Sequence, residues 1–196
     1  MARTKQFNEQ EVLERAKNLF WKQGFHATSV QDLVDHLGIN RASLYVTFEG
    51  KNALYESALK TCKQQNGQVV QNLCTDSCSP LESIRQLFKS IISNNLSDRN
   101  KKGCFIVNCT TKYLPLNESL LPELLENQES FQATMEKMLN HSEELGEITK
   151  DTDVDAAAYL FTFLNGLQVQ SKINSNNAQL EKLVDIPING LAETNL

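Results

Sequence analysis

Residues 24–60 read GFHATSVQDLVDHLGINRASLYVTFEGKNALYESALK, and the punctuation of this stretch decides the fold. Thr28 or Ser29 stands just before Val30, Leu33, Val34 and Leu37, the pattern of a short, capped, one-faced helix. Gly38 permits the positive φ of a sharp turn. Asn40 can cap a second helix from Arg41 to about Phe48, with Leu44 and Phe48 facing inward. Glu49-Gly50 then breaks the chain, and a longer helix starts near Lys51 and passes Leu54, Ala58 and Cys62 toward residue 74. Two short helices joined by a tight turn, followed by a supporting helix, make a helix-turn-helix.

The flanks read as helix too. Asn8 and Glu11 frame a helix start, Val12, Leu13, Ala16, Leu19 and Phe20 repeat at helical spacing, and Gly24 ends that helix. Residues 74–80 are polar and turn-rich. Beyond them, helices are expected through Ile84–Ile92 and Leu125–Leu139, the latter with Pro115 and Pro122 flanking its start. Asp153 can cap another through Ala157–Ile173, and a last helix holds Leu180, Leu183 and Val184, with Pro187 expected to kink or interrupt it. The run Gly103-Cys104-Phe105-Ile106-Val107-Asn108 is strand-like in composition, but its helical setting favours a short helix. The fold class is all-α: an N-terminal three-helix head over residues 1–62, joined by a long helix to a helical domain over residues 63–196.

Composition bounds the function. The chain has 196 residues and is 40% apolar, with four prolines and eight glycines, which argues against a disordered or fibrous chain. No stretch approaches the roughly 18 apolar residues of a membrane span, and no apolar segment follows Met1-Ala2-Arg3-Thr4-Lys5. A cytoplasmic location and no membrane partner are expected. The net charge is −5 but unevenly spread. Residues 1–63 hold nine Lys/Arg against seven Asp/Glu, whereas residues 64–196 hold ten against seventeen. Five cysteines, an odd number with no CxxC pair, and three scattered histidines predict neither a disulfide framework nor a metal or other cofactor. No P-loop, GxSxG, HExxH or GxGxxG occurs, so an enzyme is not expected.

Residues 8–60 resemble the DNA-binding domain of the TetR family of transcriptional regulators. The resemblance lies in ordered features: Leu19-Phe20, Gly24-Phe25 with Ala27-Thr28-Ser29, Leu37-Gly38-Ile39, Ser43-Leu44-Tyr45, Phe48, and Lys51 followed by Ala53-Leu54. It implies a sequence-specific regulator, by family default a homodimeric repressor on a palindromic operator, released by a small-molecule effector or by cysteine modification. A non-specific architectural DNA protein is the alternative, disfavoured by the acidic C-terminal two-thirds.

The chemistry of the second short helix suits that role. Arg41 can bond guanine bidentately, Ala42 permits close approach or meets a thymine methyl, and Ser43 is an undiscriminating hydroxyl. Tyr45 and Thr47 can donate to phosphates, and Lys51 sits at a helix start that favours one. Thr28, Ser29, Gln31 and the capping Asn40 complete the expected contact set, with Arg3 and Lys5 as an N-terminal arm. Positions 46 and 47 depart from the family, where histidine or aromatic residues are common; here Val46 offers only an apolar contact.

The resemblance implies an effector and dimerisation domain from about residue 80. Phe88, Cys104, Phe105, Asn108, Tyr113, Phe131, Met135, Tyr159 and Phe163 are candidates to line a pocket, or else plain core. Phe161, Leu164, Leu167, Leu180, Leu183 and Val184 are candidates for the dimer interface, or else intrachain core. The segment around Cys104 resembles a Gly-Cys-apolar-apolar-x-Asn motif of a subset of the family. Lys101, Lys102 and a helix start favour a reactive thiolate there; the alternative is a small buried apolar residue. Cys74 and Cys78, four apart, face each other if helical or are exposed thiols in a loop.

Overall fold

The structure, a computed structural model, describes residues 7–73, 79–148 and 155–193. Arg3, Lys5, Cys74, Cys78 and Asp153 lie outside them. Every regular element among the described residues is helical. The head consists of α1 (Glu9–Gln23), α2 (Val30–Leu37) and α3 (Arg41–Phe48), and α4 (Lys51–Leu73) leads away from it. Then come α5 (Pro80–Ser97), α6 (Phe105–Asn108), α7 (Leu121–Glu144), α8 (Ala156–Gln170) and α9 (Asn177–Glu193). A π-helical turn, Cys109–Tyr113, continues α6.

Local signals set most of these ends. Asn8 accepts from the Gln10 and Glu11 amides and opens α1. Ser29, not Thr28, caps α2, in a reciprocal box with Asp32. Gly38 closes α2 at φ +69°, and Asn40 accepts from the Ser43 amide at 2.7 Å to open α3. Ser79 caps α5, with Pro80 in its first turn. Pro187 does not interrupt α9, which runs unbroken to Glu193. Leu180, Val184 and Ile188 are wholly buried on both sides of the proline, and this packing outweighs its missing hydrogen bond.

Two apolar cores form. The second unites α5, α7, α8 and α9 through residues such as Phe88, Ile92, Met135, Leu160, Leu164 and Val184. The first lies under the head, where Phe20, Leu33, Leu37, Leu44, Leu54 and Leu59 meet, and it continues into Phe105, Ile106, Cys109 and Tyr113. The head therefore rests on α6 and its π turn. An aromatic cluster makes that seam: Tyr55 lies 5.0 Å from Phe20, 4.9 Å from Phe25, 5.0 Å from Tyr113 and 5.5 Å from Phe105, centroid to centroid. The Tyr55 hydroxyl and the Cys109 thiol are 3.0 Å apart.

Candidate nucleic-acid interface and internal cavity

α3 has one buried residue, Leu44, which faces the head core. Phe48 packs half-buried against the same core, and the remaining positions look outward. Arg41, Ala42, Tyr45 and Val46 are exposed, Val46 at 80%, while Ser43 and Thr47 are half-exposed. The Arg41 guanidinium stands 5.9 Å from the Tyr45 ring centroid. Gly50, at φ +106°, lets that ring lie close: a Cβ there would meet Tyr45 Cε1 at 3.1 Å. Lys51 is half-buried with its ammonium 4.1 Å from the Phe25 centroid. Desolvation holds this ammonium below its usual range, and Asp32 pulls it partly back. The first amides of α4 point the same way as any helix start and can receive an anion beside it.

The start of α2 differs from expectation. Thr28 is fully buried and its hydroxyl donates to the Gly24 carbonyl at 2.7 Å, so it belongs to the scaffold and not to the contact set. The Ser29 hydroxyl is exposed but already engaged: it donates to Asp32 at 2.7 Å and accepts from the Asp32 amide at 3.0 Å. Gln31 is exposed and donates to Asp35 at 2.8 Å. The Asp32 carboxyl is held below its usual range by the Ser29 amide and hydroxyl. Sequence reasoning missed Arg15, whose guanidinium reaches from α1 to the Leu37 carbonyl at 3.2 Å and to the His36 carbonyl. It ties α1 to the end of α2 and so helps fix the angle at which α3 is presented. Its partners lie more than twenty residues away, beyond the reach of any local pattern.

A cavity of about 250 Å³ lies between the head and the bundle. Trp21 of α1, Cys62 of α4, Leu87 and Ile91 of α5, Phe131 of α7 and Leu164 of α8 contribute to its wall, together with Gly103 to Ile106. Of the expected pocket residues, Cys104, Phe105 and Phe131 line it. Phe88 and Met135 are wholly buried in the bundle core, away from the cavity. Asn108 and Tyr113 line a smaller cleft of about 170 Å³ beneath the head. Tyr159 is 53% exposed and Phe163 stacks between it and Phe88.

The expected dimer residues are also redistributed. Leu164, Leu167, Leu180 and Val184 are buried in their own chain's core, and Leu183 packs half-buried against it. Phe161 lines the cavity and packs on Phe131 at 5.6 Å. The apolar side chains that α8, its trailing turn and α9 expose are instead Tyr159, Val169, Ile173 and Ile186, the last two at 77% and 66%.

Cys104 does not carry an activated thiol. Burial pushes it up, against a smaller opposing pull from the Val107 and Ile106 amides. Lys102, expected to activate it, lies 4.5 Å over the Trp21 ring. Burial also pushes Cys62 and Cys109 up to about 12.

An exposed, capped second helix on a three-helix head, carried by a helical bundle with its own cavity, defines a helix-turn-helix regulator. Comparison with known proteins agrees. Residues 12–58 match the bacterial regulatory proteins of the tetR family, and residues 80–186 match the tetracyclin repressor-like C-terminal domain. The chain belongs to the TetR family of bacterial regulatory proteins. It is 30% identical over 193 residues to the uncharacterized HTH-type transcriptional regulator YezE of Bacillus subtilis (strain 168), covering 97% of this chain and all of that protein. It is 27% identical over 186 residues to the HTH-type transcriptional repressor ComR of Escherichia coli (strain K12), covering 94% and 87%. Its fold matches a cysteine-substituted form of the TetR-family regulator CifR solved with 26-bp operator DNA, at TM-score 0.85, 24% identity and coverage of 97% and 100%.

Proposed function

We propose that this chain is a cytoplasmic, homodimeric transcriptional repressor that reads a palindromic operator with α3 and is released by a small molecule in the α4–α5–α7–α8 cavity. The observation that carries the reading is the face of α3: Leu44 alone is buried, and Arg41, Ala42, Tyr45 and Val46 stand free to meet base edges and phosphates. Thr47, Lys51, Gln31, Ser43 and the capping residues Ser29 and Asn40 flank that face. The head is taken as residues 1–62 and the effector domain as 63–196.

One head covers a half-site, so two heads related by a two-fold axis are needed for a palindrome. The exposed apolar residues Tyr159, Val169, Ile173 and Ile186 support α8 and α9 as the face a second copy covers. Among the described residues no helix is long and apolar enough to cross a membrane, which suits a protein that works on DNA. Release follows by population shift: an occupant that prefers one head orientation draws the dimer away from the spacing of successive half-sites. Release by thiol modification is the weaker alternative, because the thiols at the cavity are held protonated.

The test is binding of the purified protein to DNA upstream of its own gene, at fixed salt with excess non-specific competitor. A saturable, competitor-resistant complex with two protomers per site supports the reading. Binding erased by competitor at every candidate operator refutes it and favours the architectural alternative.

A further inference from the structure

We propose that the cavity binds an uncharged ring compound bearing carbonyl, hydroxyl or amide groups, recognised through a set of side-chain carboxamides and not through charge. The proposal rests on the effector reading of this cavity and names the chemistry of its occupant. Six carboxamides line it, from four helices: Asn66 of α4, Asn94 and Asn95 of α5, Asn127 of α7, and Asn165 and Gln168 of α8. Among the described residues, no Lys, Arg, His, Asp or Glu side chain lines it.

Gln168 is only 8% exposed and makes no side-chain hydrogen bond among the described residues, though its amide still reaches solvent. The side-chain amides of Asn66, Asn94, Asn127 and Asn165 likewise make none there, and Asn95 makes one long bond, 3.3 Å, to Ser171 Oγ. Asn95, Asn127 and Asn165 are half-buried, and Asn66 and Asn94 are exposed, so water serves these amides until an occupant replaces it. Helix capping does not explain the set, because each lies within its helix. Each carboxamide offers two donors and an acceptor, so the set can meet both the donating and accepting edges of a neutral molecule. Trp21, Phe105, Phe131 and Phe161 supply flat apolar walls between them.

A charged ligand would lose its hydration here without gaining a counter-ion. Two nearby cations have partners of their own: Lys172 donates to Asn108 Oδ1 at 2.5 Å, and the Lys102 ammonium lies 4.5 Å over the Trp21 ring. The wall thiols, Cys62 and Cys104, are kept neutral by burial. The occupant is also placed to act on the head. Trp21 belongs to α1, and its indole N–H donates to the Gly103 carbonyl at 2.9 Å, across the seam between head and bundle. Gly103 sits at φ +67°, where an L side chain is strained, and a Cβ there would push the Lys172 side chain aside.

Trp21 is the chain's single tryptophan, so its emission reports on this wall. The full-length protein is titrated with matched probes, nicotinamide against nicotinate and benzamide against benzoate and benzylamine. Binding is read by Trp21 emission and independently by calorimetry. The neutral member of each set is expected to bind about 100-fold more tightly than its charged counterparts. Gln168→Glu and Asn165→Asp are expected to weaken the amides about tenfold and to raise affinity for benzylamine. A charged probe that matches its amide, or the absence of any signal from the amides up to their solubility limit, overturns the proposal. Operator release is measured with the same probes. Binding without release sinks the effector reading and leaves the site chemistry standing; binding that is indifferent to Gln168→Glu sinks the site chemistry.

Discussion

α3, of eight residues, and α8, of fifteen, put polar residues to opposite use. α3 buries Leu44, packs Phe48 half-buried beside it, and leaves the rest of its surface for a partner that comes from outside. α8 buries six residues, one of them Gln168, and directs that amide into a void within the chain. The outer surface can be polar at no cost because water satisfies it until DNA arrives. The inner surface mixes its amides with aromatic walls: Gln168 is buried, Asn95, Asn127 and Asn165 are half-buried, and Asn66 and Asn94 are exposed. The same contrast governs shape: α3 is held by caps, Leu44 and the half-buried Phe48, whereas four helices contribute to the cavity wall.

That contrast can be broken at several points. Leu44→Ala removes the fully buried anchor of α3, and a loss of about 2–5 kcal/mol in denaturant-monitored stability is expected from its complete burial. A loss below 1 kcal/mol would mean that the caps and Phe48 hold the helix. Arg41→Ala, on the outer face, should leave melting unchanged and lower operator affinity by about 1–3 kcal/mol, read by fluorescence anisotropy at constant salt. Unchanged affinity would remove Arg41 from the reading face. Gly50→Ala should cost about 1–3 kcal/mol of stability, since it places a Cβ at φ +106° and against the Tyr45 ring. Its operator affinity should fall further than that of Tyr45→Phe, because the whole ring is displaced.

Smaller effects sharpen the boundary between scaffold and interface. Thr28→Val should cost about 1 kcal/mol through the lost bond to the Gly24 carbonyl, with operator affinity otherwise intact. A large affinity loss at normal stability would return Thr28 to the contact set. The smallest effect concerns acid. Glu123 is held below its ordinary 4.5, first by its hydrogen bond with Lys63, which also reaches Glu126. Its folded-state pKa is depressed, so its contribution is present above the unfolded value and is lost as pH falls through the folded one. Melting temperature should therefore decline below about pH 4.5, and Lys63→Met should flatten part of that slope.

Legibility in the sequence followed the range of the interaction. Gly38 and the Asn40 cap act over three or four residues, and the pattern of letters exposes them directly; the α2 cap was narrowed to Thr28 or Ser29, and the structure selects Ser29 with Asp32. The short helix at residues 105–108 was also within reach, through its neighbours. The thiol of Cys104 was not. Its setting between two lysines and a helix start pointed to activation, but the fold sets it half-buried in the cavity wall, where desolvation pushes the thiol up, and sends Lys102 to the Trp21 ring. The interruption expected as one outcome at Pro187 fails for the same reason: a local rule is applied where the packing of Leu180, Val184 and Ile188 decides.

By itself, the sequence determined an all-helical chain, the helix-turn-helix with its caps, and the residues of α3 that carry chemistry. Each depends on backbone geometry within a turn or two. The tertiary structure alone decided which apolar residues of α8 and α9 face their own chain, and that Thr28 is scaffold. It alone brought six carboxamides and a single tryptophan to one cavity. Periodicity says that a helix has an apolar side, but its rotation about its axis is set by all its neighbours together, through contacts tens of residues apart.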